Sequence, residues 1–509
     1  MAENLFRSKW ASTAASIWIQ STSGSLYTFS IYSDALKTTQ GYDQSTLDAV
    51  AVSKDVGVNC AILSGVLYSV GGPRVVLLAG AAQCFLGYFL MWAAVAGLIF
   101  PRPLPVPAVC LFMLVAAHGQ AFFNTANVVT GVRNFPSYSG TIVGIMKGFL
   151  GLSGAILVQV YETFLFNKPA SYLLMLALLP TINTLLLMWF VRIHNTSEGA
   201  EKEHLNNFSL IALLIAAYLM VIIIIEHVVT LRVIVRAFAF VALVLLLGSP
   251  LCFAIRAWKM ESDRISHTSY AEGESLILDP NQRGSEKISA RQDSEQELDT
   301  DDNRTLQLGE NLNLIQAMRV LDFWILFLAM ACGLGSGLAT HLEFPGRFGA
   351  GYASDYALHT KGWARPLFMV ITLAAMSIGH LVIASGFPGT LYIGSILVGV
   401  CYGSQWSLMP TITSEIFGVV HMGTIFNTIT IASPVGSYIF SVRVIGYLYD
   451  KEASDEGNTC VGKHCFMLSF LIMAFATLLG SLAALGLFFR TRSFYNLVIV
   501  RRLLHSVRE

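Results

Sequence analysis

Long apolar runs separated by short polar connections make up most of the chain between residues 10 and 490. A helix needs roughly 20 apolar residues to cross the hydrocarbon core of a bilayer. Backbone amides in lipid must bond within their own segment, so these runs predict helices rather than open strands. The predicted spans are residues 10–34, 46–70, 75–99, 105–131, 139–164, 170–192, 208–226, 233–255, 366–385, 390–410, 421–448 and 466–489.

The stretch 321–358 does not fit this series. It is apolar and glycine-rich but only 38 residues long, whereas two spans and a turn need about 42 or more. Two interpretations stay open. Pro345 and the surrounding glycines break the stretch into a short helical hairpin, or one helix is missing.

Charged residues are scarce and unevenly placed. The chain is 54% hydrophobic and 13% charged, against about 25% charged residues in soluble proteins. Residues 257–312 alone hold 13 of the 32 acidic residues. We therefore expect 257–318 to be a disordered acidic cytosolic loop. Ser294, flanked by acids, is either a phosphorylation site or part of a plain solubilising linker.

Basic residues predict which connections face the cytosol, because Lys and Arg are enriched on that side. Arg7 and Lys9 precede the first span, and residues 491–509 form a basic tail, so both termini are expected to be cytosolic. Arg74, Arg133, Arg192 and Arg256 fall at every second connection, as eight crossings before the acidic loop require. Arg102 and Lys168 are exceptions, one on each of two outer loops.

Two connections share a spacing of glycine and charge. They read Gly65-Val-Leu-Tyr-Ser69-Val-Gly-Gly72-Pro-Arg74 and Gly351-Tyr-Ala-Ser-Asp355, the latter followed by Gly362-Trp-Ala-Arg365. Both resemble the cytosolic Gly-x-x-x-Asp … Gly-x-Arg gating motif of the major facilitator superfamily. In such a motif helices approach closely at glycine, and Asp and Arg form a charge latch. Ser69 replaces the Asp of the first copy, so we expect a weaker latch there.

Further motifs are similar to the plant nodulin-like branch of that superfamily. They are Trp18-Ile-Gln20 with Gly24 and Tyr27, Gly144-Ile-Met-Lys147-Gly148, Asp322-Phe-Trp324, Gly346-Arg-Phe-Gly-Ala-Gly351 and Gly362-Trp-Ala-Arg365-Pro. The similarity covers almost the whole chain. It departs at residues 341–345, where relatives have a loop and most of another helix.

The resemblance implies an all-α, polytopic membrane protein built as a two-half helical bundle of about 13–14 spans. Its expected parts are a nodulin-like half at 1–194, two extra central helices at 205–256, the acidic loop, a second half at 319–490 with a partial deletion near 341–345, and the basic tail.

Polar side chains within the spans need a reason, because a charge near mid-bilayer costs about 2.5–3.5 kcal/mol on insertion scales. We interpret a set of them as a substrate path: Gln20, Tyr27, His118, Gln120, Asn124, Asn127, Lys147, Gln405 and Arg443. Lys147 either attracts an anionic solute or snorkels to the interface. Arg443 either serves the path or pairs with Asp450 or a headgroup. Glu162 either carries a proton or anchors its helix at the interface.

These features predict a secondary transporter of a small organic solute. The distant resemblance to monocarboxylate and oxalate–formate carriers favours an organic anion as that solute. Coupling to protons is an option. The alternative is a non-transporting membrane protein, receptor-like or fusion-related, that recruits partners through the acidic loop. No enzyme motif, nucleic-acid patch, cofactor motif or metal motif is found. The plasma membrane and endomembranes such as the vacuole both fit, and the oligomeric state is open. Cys460 and Cys465 lie in a short acidic loop predicted to face away from the cytosol, where a disulfide is permissible.

Overall fold

The described part of the protein is helical throughout. The computed structural model describes residues 8–99, 103–194, 201–229, 232–278, 308–336, 343–448, 451, 462 and 464–506, without the side chains of 265–278, 441–442 and 498–506. No strand occurs within these ranges. The protein is therefore an all-α polytopic bundle, as predicted.

The first half contains seven helices. They are α1 (Lys9–Thr22), α2 (Phe29–Gln40), α3 (Gln44–Asn59), α4 (Ile62–Ala96), α5 (Val106–Asn134), α6 (Ser139–Phe164) and α7 (Pro169–Leu187). The predicted first span is broken between α1 and α2 by the 3₁₀ turn Ser25–Thr28. Within α4, Gly72 has φ 72° and precedes Pro73, so the helix kinks there and joins parts of two predicted spans. Only glycine adopts such a positive φ without strain.

Two long central helices and the second half follow. The central helices are α8 (Glu201–Val228) and α9 (Val233–Leu278), and the second half comprises α10 (Leu314–Arg319), α11 (Leu321–Gly335), α12 (Glu343–Lys361), α13 (Arg365–Ala384), α14 (Thr390–Ile416), α15 (Met422–Thr430), α16 (Ala432–Ser437), the π-helix Tyr438–Gly446 and α17 (His464–Ser506). The predicted span 421–448 is thus divided into three pieces. Pro434 lies inside it and has no backbone N–H to donate.

Nine helices in the described ranges are long and apolar enough to cross a membrane. One of them, Gln44–Ala96, covers two predicted spans. Helix α14 has 27 residues but is not among the nine. The number of membrane spans therefore depends on whether polar helices such as α14, and the pair α11 and α12, are counted as spans.

The short stretch 321–358 contains helix α11 and most of helix α12. Helix α11 has 15 residues, or about 22 Å at 1.5 Å per residue, against a hydrocarbon core of about 30 Å. Helix α12 has 19 residues and begins with the buried, charged Glu343. Both helices of a shortened pair are therefore present in the described residues. Residues 337–342 between them lie outside the described part.

The acidic loop is less disordered than predicted. Helix α9 continues to Leu278, so residues 257–278 are helical rather than disordered. Contacts stabilise the first turns of this extension, because the Glu261 carboxylate accepts a hydrogen bond from the Trp10 indole at 2.7 Å. A capping box between Asn313 and Gln316 also orders the end of the segment as α10. Residues 279–307, with Ser294, lie outside the described part. The predicted basic tail is likewise helical as far as Ser506.

The central helices pack on the first half through polar contacts at both ends. At one end Lys9 forms an ion pair with Glu201 at 2.8 Å. At the other end Gln159 donates to Glu226 at 2.7 Å, and Arg236 pairs with Glu162 at 3.3 Å. The Glu162 carboxylate is therefore paired with a cation, Arg236 of the central helix α9.

The two halves meet face to face. Helix α6 of the first half packs on α12 of the second, and α15 of the second half packs on α4 of the first. We call the end of the bundle where α6 begins and α12 ends the latch end, and the end where α3 begins and α13 ends the opposite end.

Candidate functional site

A cavity of about 310 Å³ lies between the two halves, near the middle of the bundle. Both halves line it. Its polar lining residues are Ser23, Tyr27, Lys54, Asp55, Asn59, Gln120, Asn124, Lys147, Glu343, Arg347, Tyr402, Trp406, Asn427, Thr430, Ser433 and Ser437. The Asp55 side chain is 61% exposed and Tyr27 is 47% exposed, so the cavity is not sealed.

Lys147 contributes a buried positive charge to this cavity. It is 2% exposed, and its ammonium lies 5.1 Å from the ring centroid of Trp406 and 5.7 Å from that of Phe426. Cation–π contacts of this kind stabilise a cation only in part. No acidic side chain in the described ranges pairs with Lys147. The cavity therefore holds a cation without a protein counter-ion.

Arg347 faces Lys147 from the second half. Its guanidinium pairs with Glu343, one helical turn earlier on α12, and donates to the Tyr27 hydroxyl at 3.0 Å. It also lies over the rings of Tyr27 and Trp406. Its Nε is buried without a hydrogen-bond acceptor. Because guanidinium nitrogens bind carboxylates as a planar fork, this free donor is available to a ligand.

Amide side chains from α1 and α5 form the first-half wall. Gln120 donates to Ser25 and to the Tyr88 hydroxyl, and its Oε1 has no partner. Gln20 donates to Asn124 at 3.4 Å, and its Oε1 is also unpaired. Buried amide oxygens without a partner are uncommon, so this wall can accept hydrogen bonds from a bound solute.

The structure brings together only part of the predicted substrate path. Tyr27, Gln120, Asn124 and Lys147 line the cavity, and Gln20 contacts it through Asn124. The other predicted residues are His118, Asn127, Gln405 and Arg443, and none of these lines it.

These four residues have partners elsewhere. The His118 ring shares a hydrogen bond with Gln83 at 2.5 Å, and Asn127 donates to a carbonyl of its own helix. Gln405 donates to Thr372 at 2.8 Å. Arg443 is exposed and donates to the Tyr438 hydroxyl on its own π-helix. A helical stripe fixes which residues share a face, but it does not say whether that face meets a cavity or a neighbouring helix.

Several lining residues were missed by the sequence analysis. Glu343 and Arg347 lie within the stretch 321–358 whose span count was uncertain, and Lys54 and Asp55 were taken as ordinary span residues. The signal was present, because an ionisable residue inside a span is by default a functional candidate. Applied to Arg347 as it was to Lys147, that rule would have found the second cation.

The second gating motif forms a buried ion pair at the latch end. Arg365 pairs with Asp355 at 2.5 Å, and the two side chains are 0% and 4% exposed. Gly362, with φ +69°, makes the turn between α12 and α13 that allows this approach. The Asp355 carboxylate also accepts from the backbone N–H groups of Gly140 and Thr141, at 3.2 and 2.5 Å.

This arrangement joins the two halves. Residues 140 and 141 open α6 of the first half, and an acid at a helix N-terminus meets its unpaired amides and positive dipole end. A Cβ on Gly140 would lie 2.6 Å from the Gly351 carbonyl oxygen, so glycine is needed for the approach. Glu415 completes the cluster by accepting from Arg365 Nε at 2.7 Å. We call Asp355, Arg365 and Glu415 the latch.

The first gating motif makes a close approach without charge. A Cβ on Gly65 would collide with the backbone of Gly423 and Thr424 at the start of α15. Ser69 stands where the other copy has Asp355, and its hydroxyl bonds the Gly65 carbonyl of its own helix. Arg74 turns away and donates to the Trp189 carbonyl at 3.3 Å, within the first half. A buried hydrogen-bond cluster of Asn427, Ser64 and Thr125 joins the halves here instead.

No metal site is evident, since the described ranges contain no group of three or more His, Cys, Asp or Glu side chains able to hold a metal ion. Six cysteines are free, namely Cys60, Cys84, Cys110, Cys252, Cys332 and Cys401. The disulfide considered for Cys460 and Cys465 is not tested, because Cys460 lies outside the described residues.

Comparison with solved structures supports the fold. The proton:xylose symporter XylE, bound to 6-bromo-6-deoxy-D-glucose, aligns with a TM-score of 0.52 over 93% of this chain and 94% of that one, at 12% identity. A double tryptophan variant of XylE gives the same TM-score and identity over 94% of each chain. These similarities show a major facilitator superfamily fold.

Sequence comparisons match each half of the chain to a family model. The model described as Nodulin-like matches residues 9–255, and the model described as NFD4, C-terminal domain, matches residues 330–497. The Arabidopsis thaliana protein NUCLEAR FUSION DEFECTIVE 4 is 24% identical over 96% of this chain and 90% of its own length. A Yarrowia lipolytica protein named "Probable transporter MCH1" is 34% identical over 21% of this chain and 24% of its own. Residues 9–255 are thus similar to the nodulin-like family and residues 330–497 to the NFD4 C-terminal domain, on a fold of the major facilitator superfamily type.

Proposed function

We propose that this protein is a secondary carrier of a small organic anion that works by alternating access. The observation that carries the proposal is the cavity between the two halves, with buried Lys147 unpaired inside it. A volume of about 310 Å³ is at the lower end of the range for small-molecule sites. It can hold a small organic solute, and the choice among such solutes depends on the charges of the lining residues.

The charges of the cavity support an anion. Five lining residues are acidic or basic, and four of them form two pairs, Lys54 with Asp55 at 3.4 Å and Arg347 with Glu343. Lys147 remains, so a bound anion would neutralise the site. An unpaired charge in a low-dielectric environment is costly, and solute binding would remove that cost.

The latch supports alternating access. It closes one end of the interface between the halves, while the exposed Tyr27 and Asp55 mark an access route on the other side of the cavity. We propose that the latch end is cytosolic and that the latch breaks when the halves rock to open that end. Glu343 is our candidate for a proton carrier, because protonation would release Arg347 to the solute.

Reconstitution in liposomes tests the proposal. Short-chain mono- and dicarboxylates are offered with and without a pH gradient, with neutral sugars of similar size for comparison. We expect saturable carboxylate uptake that Lys147→Gln lowers at least tenfold. The control Lys361→Gln, an exposed lysine at the latch end outside the cavity, should transport normally.

Two results would contradict the proposal. One is uptake of sugars in preference to carboxylates with no effect of Lys147→Gln. The other concerns the short connection between α11 and α12. If this chain moves no solute, while a chimera carrying the corresponding loop of the Arabidopsis relative in place of residues 337–342 does, the carrier role is lost for this chain.

A second candidate function is partner recruitment through the acidic segment, which carries much of the chain's negative charge. Deleting residues 279–307 separates the two, because the deletion leaves α9 and α10 intact. Loss of the cellular phenotype with unchanged liposome transport would favour recruitment over transport as the protein's main role.

A further inference from the structure

We propose that Tyr495 is a positioning residue for the latch, so that the C-terminal end of α17 sets how firmly the latch end stays closed. This inference rests on the proposed function, in which the latch gates the cavity. It adds a control element that lies outside both gating motifs.

The contact is direct. The Tyr495 hydroxyl donates to Glu415 Oε2 at 2.8 Å, while Arg365 Nε donates to the other carboxylate oxygen at 2.7 Å. The Arg365 guanidinium continues to Asp355 at 2.5 Å and to the Ser354 hydroxyl at 2.8 Å. A chain of hydrogen bonds therefore runs from the C-terminal helix through Glu415 and Arg365 to the first turn of α6 in the opposite half.

The surroundings hold Tyr495 in place. It is 1% exposed and packs in a small apolar cluster with Leu358, Ala364, Phe488 and Phe494, apart from the main core. Leu358 and Ala364 flank the turn that carries the second gating motif. A shift of α17 in this cluster would therefore move the hydroxyl relative to Glu415.

The end of the acidic segment reaches the same place. The Gly309 and Leu312 N–H groups donate to the carbonyls of Ile416 and Phe417, at 2.9 and 3.0 Å, directly after Glu415. A Cβ on Gly309 would lie 2.6 Å from the Phe494 ring. The C-terminal helix and the end of the acidic segment thus converge on one latch carboxylate, and both are positioned to transmit a cytosolic signal to the gate.

The hydroxyl should matter because Glu415 is a mostly buried acceptor, 13% exposed. Removing a donor to a charged group weakens the charged arrangement by a factor of about ten or more. Tyr495→Phe keeps the ring in the cluster and removes the hydroxyl that donates to Glu415. It should shift the population toward the state in which the latch end is open.

Accessibility of the cavity tests this without any solute. The full-length chain, with its six free cysteines replaced and a reporter introduced by Asn124→Cys, is reconstituted in oriented vesicles and labelled with an impermeant maleimide from one side at a time. We expect Tyr495→Phe to raise the labelling rate from the latch end about tenfold, and Glu415→Gln to raise it at least as much. Tyr356→Phe, at the same end with no hydroxyl hydrogen bond among the described residues, should leave it unchanged.

Arg365→Met serves as the reference for an opened latch. If Arg365→Met raises the labelling rate, while Tyr495→Phe changes it no more than Tyr356→Phe does, the role of Tyr495 is refuted. The latch would still gate the cavity. If Arg365→Met also leaves labelling unchanged, the latch does not gate the cavity, and both the inference and alternating access through this end are overturned.

Discussion

The two gating motifs lie at the same end of the bundle and join the halves in different ways. In the copy at 351–365, Asp355 and Arg365 form a buried ion pair that also caps α6 of the other half. In the copy at 65–74, the glycine approach is retained, but Ser69 bonds its own helix and Arg74 bonds a carbonyl of its own half.

The difference separates two contributions that the motif usually combines. Close approach at glycine depends on backbone shape and is present in both copies. The charge latch depends on a carboxylate at one position and is present in one. We therefore expect the two contacts to respond differently to substitution, with charge controlling the α6–α12 contact and packing controlling the α4–α15 contact.

The largest loss of stability is expected for Arg365→Met. It leaves Asp355 and Glu415 without their shared cation, and breaking a buried pair in this way costs about 3–5 kcal/mol. Chemical unfolding in mixed micelles measures the loss. Arg74→Met is the matched control and should cost less than about 1 kcal/mol, as for other partly exposed charges. Equal losses at the two arginines would show that the copies do not differ as described.

Gly65→Ala is expected to cause the second-largest loss of stability. The added Cβ meets the backbone of Gly423 and Thr424, and overpacking of this kind costs about 1–3 kcal/mol. Gly349→Ala, on α12, is the control, because a Cβ there has no neighbour within 4 Å. That change should be neutral or stabilising, since alanine favours a helix by about 1 kcal/mol over glycine. A neutral Gly65→Ala would argue against a tight contact between α4 and α15.

Ser69→Asp should have the smallest effect on stability, and it should stabilise the protein rather than destabilise it. It places a carboxylate four residues after Gly65, as Asp355 follows Gly351, and so near the first turn of α15. An acid at a helix N-terminus stabilises by about 0.3–1 kcal/mol. The melting temperature should rise for Ser69→Asp and not for Ser69→Asn, which has the same shape without the charge. Similar melting temperatures for both variants would exclude an electrostatic cause.

Much of the fold could be predicted from sequence, because apolar runs fix most helices and the two motif copies fix where the halves touch. The latch residues Asp355 and Arg365 were found through the glycine and charge spacing of the gating motif, and the cavity residue Lys147 was found because a charge within a span needs a reason. The breaks between α1 and α2 and within 421–448 were not predicted. They depend on local geometry inside runs that look uniformly apolar.

The rest of the site depends on contacts between residues far apart in sequence. Gln405 and Asn127 satisfied the same polar pattern as Gln120, yet they face neighbouring helices or their own backbone. The pairing of Glu415 with Arg365 and Tyr495 joins three helices. Helical periodicity carries no information about which partner a face will meet, so such clusters become visible only in the folded chain.

The most direct test of alternating access is the distance between spin labels at the two ends of the bundle. One pair, at Ser137→Cys and Thr360→Cys, spans the latch end, and the other, at Thr38→Cys and Ser385→Cys, spans the opposite end. When Arg365→Met is added, the account predicts that the latch-end distance increases while the opposite-end distance decreases. Two unchanged distances, or an increase at both ends, would contradict a rocking motion controlled by the latch.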